Sequence, residues 1–234
     1  MKITSLAVMV GVCALLGTAG PVPAAPVFWA DWTEATPGNP GTVAGSITGP
    51  DFGTIGVTYT GDYAFANLGK TGANYWSPKK TFADGIIVDN EPPEKDIIAL
   101  AGGSSTAQHT ITFSAPVVNP VMGIVSLGQR TVPVTYNFDA PFDVISTGPG
   151  TFGNGPLTEL DGNVLEGREG HGTIQLLGTF TSISWTIPTY EYWHGITVGI
   201  PGVAEPIATP VPGALLLVGA GTGLVGYLRR RGTL

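Results

Sequence analysis

The 234-residue chain has one cysteine and three histidines, and only 12% of its residues are charged. A single cysteine excludes an intrachain disulfide and any zinc site built from several thiolates. The histidines, His109, His171 and His194, do not occur in an H-E-x-x-H pattern, and the sequence has no G-x-S-x-G nucleophile elbow. These absences point away from the zinc proteases and the α/β-hydrolases.

Long uninterrupted helices are also disfavoured, because the chain contains 35 glycines and 20 prolines. Both residue types break helices. Short segments of apolar or alternating character instead recur between turns, a pattern typical of antiparallel strands. The predicted strands are 55–60, 96–100, 108–113, 121–126, 132–138, 142–145, 172–177, 182–187 and 193–198. We therefore expect an all-β fold over residues 25–200, an antiparallel β-sandwich of jelly-roll-like type.

Basic residues are few outside the two ends of the chain. Four of the ten lie in the terminal segments (Lys2 and residues 229–231), whereas all 17 acidic residues lie between Asp31 and Glu205. The region between the ends therefore has six basic and 17 acidic residues and a net charge of −11. Nucleic acid is bound through basic patches, so we exclude it as a partner.

The N-terminus has the pattern of a secretory signal peptide. Lys2 precedes the apolar segment 6–16 (LAVMVGVCALL), and small residues follow it. Cleavage by signal peptidase is expected after Ala24, which leaves residues 1–24 out of the mature protein. The alternative, lipidation of Cys13, is disfavoured because Val12 stands where a small residue is required.

The C-terminus combines an apolar segment with a basic tail. Residues 211–228 carry no charge, which suffices for about 27 Å of helix and a marginal bilayer span, and the basic tail 229–231 belongs on the cytoplasmic side. Residues 221–226 also match G-x-G-x-x-G, but the chain ends eight residues later and leaves no room for a dinucleotide-binding unit. The expected organisation is a linker at 201–209 and a transmembrane helix at 211–228.

These two ends together resemble the PEP-CTERM proteins, which are substrates of exosortase. The resemblance rests on a signal peptide at one end and, at the other, a proline motif, a glycine-rich apolar helix and arginines. The residues that correspond to the sorting signal, within 210–234, are Pro210, Val211, Pro212, Gly213, Arg229, Arg230 and Arg231. The family's Val-Pro-Glu-Pro motif is replaced by PVPGA. The segments 119–128, 135–139 and 192–199 are similar to secreted domains found in such proteins.

The resemblance implies export across the inner membrane of a Gram-negative bacterium, transient membrane retention, and processing by exosortase. It further implies a surface or extracellular-matrix location and an association with exopolysaccharide and biofilm. A simple C-terminal membrane anchor is the alternative for the same segment.

Two groups of residues are candidates for ligand binding. Exposed aromatic side chains on a β-sandwich stack on sugar rings, and the candidates for such a role are Trp29, Trp32, Trp76, Tyr192 and Trp193. The alternative is that these rings pack in the core. The second group is an acidic segment that offers hard oxygen ligands for Ca²⁺, namely Asp84, Asp89, Glu91, Glu94 and Asp96, although it does not match an EF-hand and a solvated loop is the alternative.

No catalytic residue is predicted, and Ca²⁺ is the one cofactor that the sequence allows. Several carboxylates in the second half of the chain provide the pair that a glycoside hydrolase requires; these are Glu159, Asp161, Glu166, Glu169 and Glu191. The sequence thus favours a non-enzymatic exported protein. A secreted glycan-binding module or a glycoside hydrolase is the alternative, and a cleft with two carboxylates would favour the hydrolase.

Overall fold

The computed structural model describes residues 26–69, 71–93, 95–100, 107–202 and 229–230. The predicted signal peptide, the apolar C-terminal segment 211–228 and Arg231 lie outside these residues. No helix within the described ranges is long and apolar enough to cross a membrane.

The regular secondary structure of the described chain is almost entirely strand, and the glycine and proline content is consistent with the scarcity of helix. The elements are β1 (Val27–Trp29), β2 (Asp31–Thr36), β3 (Gly41–Gly49), β4 (Gly53–Gly61), β5 (Phe65–Asn67), α1 (Lys79–Phe82), β6 (Ile97–Leu100), β7 (Gln108–Val118), β8 (Val121–Leu127), β9 (Val134–Phe138), β10 (Phe142–Thr147), β11 (Leu157–Leu160), β12 (Val164–Gly167), β13 (Gly170–Leu176), β14 (Thr179–Thr186) and β15 (His194–Pro201).

The strands form two antiparallel sheets. The eight-stranded sheet has the order β11-β12-β9-β14-β7-β4-β3-β2, and the seven-stranded sheet has the order β10-β13-β8-β15-β6-β5. The short β1 pairs with the second half of β15, with Val27 opposite Pro201 and Trp29 opposite Gly199. The first half of β15 pairs with β6. Along this edge of β15, β6 is therefore the partner of its first half and β1 of its second half, while β8 pairs with the opposite edge.

The core lies between the sheets and follows from the alternation of side chains along each strand. In β7, His109, Ile111 and Phe113 point inward and are buried, while the residues between them are less buried. Met122 of β8 and Ile196 of β15 belong to the same buried cluster from the opposite sheet. Burial of each such apolar side chain stabilises the fold by roughly 1.5–3 kcal/mol.

The seven-stranded sheet is covered on its outer face as well, which explains why every residue of β8 is buried. The covering segment runs from about residue 75 to residue 93 and includes α1. Trp76 packs edge-on against Phe82 with ring centroids 5.3 Å apart, and both contact Val125 of β8 in one cluster. A side chain at Gly123 would lie 3.2 Å from the Trp76 ring, so a glycine allows the close approach at this point of β8.

All nine predicted strands correspond to strands of the structure, although several boundaries differ. The structure adds strands that sequence reasoning missed, above all β3, whose glycine, serine and alanine residues have low strand propensity. β3 forms because it pairs in unbroken register with β4, from Gly41 opposite Gly61 to Gly49 opposite Gly53. β15 ends at Pro201, one residue beyond the predicted domain end.

Candidate functional site

A cavity of about 440 Å³ opens where β8 ends and β15 begins. Its lining comes from the end of β8 and the turn after it, from the segment before β13, and from the segment that leads into β15. The lining residues are Ser126, Gly128, Gln129, Arg130, Thr131, Phe152, Glu169, Glu191, Tyr192 and Trp193. We refer to it as the site cavity.

The turn that forms one wall of the site cavity is fixed by Gly128. This residue has a φ of 81°, and a Cβ atom there would lie 2.0 Å from the carbonyl oxygen of Gly167. The Gly128 carbonyl accepts a hydrogen bond from the Glu169 amide at 2.9 Å. Only glycine fits this left-handed conformation and close backbone approach, so the turn holds a single position beside β12 and β13.

A buried carboxylate, Glu191, lies at the inner end of the site cavity. Its side chain is 3% exposed. The Glu191 Oε2 atom accepts hydrogen bonds from the Gly128 amide at 2.8 Å and from Nδ1 of His194 at 2.9 Å. His194 is fully buried as the first residue of β15. Buried charges require such partners, and these two donors fix the orientation of the carboxylate.

Aromatic side chains form the outer wall of the site cavity. Phe152 and Tyr192 are exposed, by 43% and 78%, and Trp193 is half-buried. Trp193 meets Phe152 edge-on, with ring centroids 5.0 Å apart. Tyr75 packs behind both rings, 5.4 Å from Trp193 and 5.9 Å from Phe152. We call Phe152, Tyr192 and Trp193 the aromatic rim; together they give flat apolar faces beside a polar floor.

An exposed ion pair completes the rim. Nε of Arg130 lies 3.9 Å from Oε2 of Glu169, and the Arg130 side chain is largely exposed. Such surface pairs contribute little to stability. This pair matters for the local charge. Arg130 is the only cationic side chain among the lining residues, and because it is paired with Glu169 it does not compensate the charge of Glu191.

A row of buried aromatic rings runs from the site cavity into the core. Tyr136 of β9 lies 5.3 Å from the His194 ring and 5.9 Å from the Trp185 ring. Trp185 in turn stacks on His109 at 5.5 Å. Burial, followed by the negative charge of Glu191, raises the pKa of Tyr136 well above its usual value.

The other two histidines, His109 and His171, are buried, and their side chains are uncharged at neutral pH. The Tyr59 hydroxyl donates to the Asp62 carbonyl at 2.7 Å, so Nδ1 of His109 donates to the Tyr59 oxygen at 2.8 Å. Burial lowers the pKa of His109 to about 4. Nδ1 of His171 accepts from the Ser126 amide at 3.2 Å, and burial lowers the pKa of His171 to about 4.

Of the five aromatic residues predicted to contact a glycan, the structure brings Tyr192 and Trp193 together at the site cavity. Trp29, Trp32 and Trp76 are buried, although Trp29 also lines a separate cavity of about 510 Å³ beside Asn90 and Glu91. Their indole N–H groups donate to Asn90 O, Thr197 Oγ1 and Asp96 O. Their burial and these hydrogen bonds favour the packing role that was the alternative interpretation, most clearly for Trp32 and Trp76.

The acidic segment is spread out. Oδ1 of Asp84 accepts from three backbone amides, those of residues 86–88, at 2.8–3.1 Å. Glu91 is paired with Lys79 at 3.7 Å, Asp89 is exposed and Asp96 is buried. Within the described ranges, which omit Glu94, no three acidic or histidine side chains lie close enough to hold a metal ion.

Sequence reasoning missed Phe152 and Arg130 as parts of the site. Phe152 lies between Gly150 and Gly153 in a glycine-rich segment, and a large ring in such a segment is a sign of an exposed contact. Arg130 had no such signal. Glu169 and Glu191 were predicted only as members of a larger set of carboxylates, and the fold brings these two to one cavity.

Comparison with protein-family models, with curated proteins and with solved structures gave no match to this chain.

Proposed function

We propose that the chain is an exported cell-surface or extracellular-matrix protein whose β-sandwich binds exopolysaccharide at the site cavity without chemically changing it. The observation that carries the proposal is the aromatic rim beside a buried carboxylate. Pyranose rings have apolar faces that stack on aromatic side chains, and hydroxyl groups that need polar partners. The site cavity offers both within one opening.

The binding experiment compares two exposed tyrosines that flank Glu191. Tyr192 lines the site cavity and Tyr190, which is 63% exposed, does not. We expect Tyr192→Ala to weaken binding of the full-length chain to the host's exopolysaccharide by about 3- to 10-fold, because stacking contributes about 0.5–1.5 kcal/mol. The matched variant Tyr190→Ala is expected to bind as the wild type does. Equal loss in both variants, or no binding by the wild type, would refute the role of the site cavity.

The proposal also covers sorting. The signal peptide 1–24, the sorting signal 210–234 and the arginines 229–231 support cleavage by signal peptidase and by an exosortase, with the C-terminus cytoplasmic before processing. The test is the mass of the chain isolated from strains with and without an exosortase. A chain of equal mass in both strains would mean that the C-terminal segment serves as a plain anchor.

The finer description of the fold belongs to the same proposal. We expect a jelly-roll-like connection of the two sheets, a helix in the signal peptide and a transmembrane helix at 211–228. An experimental structure of the unprocessed chain in a lipid environment tests all three expectations.

A glycoside hydrolase is the second candidate, because Glu169 and Glu191 line the same cavity. Such enzymes need one carboxyl group that donates a proton, whereas Glu191 accepts hydrogen bonds from two N–H donors and Glu169 is ion-paired with Arg130. That arrangement favours binding over hydrolysis. Release of reducing ends from a bound polysaccharide, abolished by Glu169→Gln, would favour the hydrolase instead.

A further inference from the structure

The two oxygens of Glu191 have different surroundings. Oε2 accepts both hydrogen bonds, from the Gly128 amide and from His194. Oε1 has no hydrogen-bond partner within the described part of the chain and is not sealed from solvent. Since Glu191 lines the site cavity, Oε1 is the atom that the buried carboxylate presents to a ligand.

The surroundings of Oε1 favour a cationic donor. The contact with His194 requires only one proton, on Nδ1, so it does not by itself neutralise the carboxylate. Arg130 lies nearest to Glu169 and is paired with it. A charge that is almost fully buried gains most from a partner of opposite sign. Since Arg130 is the one Lys or Arg side chain that lines the site cavity and is already paired, a ligand can supply that partner at Oε1.

We propose that the site cavity binds an amino sugar that carries a free ammonium group, with its pyranose ring on the aromatic rim and its ammonium donating to Oε1 of Glu191. This inference rests on the proposed glycan-binding function and adds the chemical class of the ligand. A neutral sugar offers Oε1 a hydroxyl donor but no charge. A uronate brings a second negative charge to a cavity whose one cationic side chain is already paired.

The chain offers a substitution that changes Oε1 while keeping the buried contacts. In Glu191→Gln, the side-chain oxygen replaces Oε2 and accepts from Gly128 and His194, which places the NH₂ group at the position of Oε1. The group that faces the cavity thereby changes from a charged acceptor to a neutral donor. The matched control is Glu159→Gln, which makes the same change of net charge on an exposed residue of β11, outside the site cavity.

The experiment measures binding of the full-length chain to three oligosaccharides of equal length: a glucosamine oligomer with free amines, the same oligomer fully N-acetylated, and a uronate oligomer. Mildly acidic buffer keeps the amines protonated, and about 0.15 M salt screens the general negative charge of the domain beyond about 8 Å. We expect the free-amine oligomer to bind at least about 10-fold more tightly than the N-acetylated one, and the uronate oligomer to bind most weakly.

Glu191→Gln is expected to weaken binding of the free-amine oligomer by about 10- to 100-fold and to reduce its advantage over the N-acetylated oligomer, whereas Glu159→Gln leaves both unchanged.

Equal binding of the aminated and acetylated forms, tighter binding of the uronate, or equal effects of the two variants would overturn the inference. If Tyr192→Ala lowers binding while Glu191→Gln does not, the glycan site stands and only the role of Glu191 fails. If none of the three oligosaccharides binds while the host's exopolysaccharide does, the inference about the amino sugar fails and the glycan site stands; if the exopolysaccharide does not bind either, both proposals fail. A melting temperature of Glu191→Gln within a few degrees of the wild type excludes unfolding as the cause of its weaker binding. The comparison of the three ligands on the wild type tests the preference for a free ammonium group without any variant.

Discussion

Acidification is expected to destabilise the sandwich through its buried histidines, His109 first of all. The pKa of His109 is about 4 in the folded protein, against 6.5 for an unperturbed side chain. Between these two pH values the unfolded chain binds a proton that the folded protein does not. The free energy of unfolding therefore falls as the pH falls through this window, and it is unaffected by His109 above pH 6.5.

The size of the effect follows from the difference between the two pKa values. Each pKa unit corresponds to about 1.4 kcal/mol, so the full effect of His109 is about 3 kcal/mol once the pH is below about 4. His171 has the same lowered pKa and adds a similar amount. Small domains are stable by roughly 5–15 kcal/mol, so the two histidines together remove a large part of the stability in weak acid.

The assay is urea unfolding of the wild type and of His109→Gln at a series of pH values from 7 to 4. The variant loses its contacts with Tyr59 and Trp185 at every pH, but it has no proton to bind at this position. Carboxylates that titrate in the same range do so in both proteins and cancel in the difference. We therefore expect the stability gap between the two proteins to narrow by about 3 kcal/mol from pH 7 to pH 4. A gap that stays constant with pH would refute a lowered pKa for His109.

Three further predictions concern the turn, the core and the acidic segment. Gly128→Ala is expected to lower the free energy of unfolding by about 3 kcal/mol or more, measured by thermal or urea unfolding, because its Cβ atom would clash with the carbonyl oxygen of Gly167. The control Gly162→Ala has a similar φ of 78° but open space around it, and its expected cost is about 1–2 kcal/mol. Equal costs would show that the backbone clash at Gly128 is easily relieved. Ile111→Ala should lower the free energy of unfolding by about 2–5 kcal/mol, since Ile111 is fully buried between the sheets, and a loss below 1 kcal/mol would indicate that the core collapses around the gap. Asp84→Ala should cost about 1–3 kcal/mol through the loss of three amide hydrogen bonds; if Asp84 instead binds Ca²⁺, the melting temperature of the wild type will rise with Ca²⁺ and fall with a chelator.

Much of the fold could be predicted from the sequence because the physical signals are local. Alternation in 108–113 identifies β7, and the continuous apolar segment 121–126 identifies β8. Strands without such a signal were missed. β3 is built from small residues and forms through its pairing with β4, and the β11–β12 hairpin has only two buried apolar side chains, Leu157 and Leu165.

The site was less accessible to sequence reasoning. A tryptophan has the same appearance in a sequence whether its ring is buried or exposed, and three of the five aromatic candidates are buried in the structure. The environment of a side chain depends on neighbours that are distant along the chain. Phe152, in the connection between β10 and β11, and Trp193, which precedes β15, are 41 positions apart and meet only in the folded protein, with ring centroids 5.0 Å apart.

The sequence alone determined the class of the fold, since glycine and proline exclude long helices and alternating segments require sheets with one buried face. It also determined the net negative charge, the absence of disulfides, and the features of the two ends on which the sorting proposal rests. Only the tertiary structure decided which carboxylate is buried, which rings face solvent and which oxygen of Glu191 is left for a ligand. The physical reason is that burial and hydrogen bonding are properties of packed surfaces, and the turn at Gly128 meets the segment before β15 because β8 and β15 are neighbours in the seven-stranded sheet.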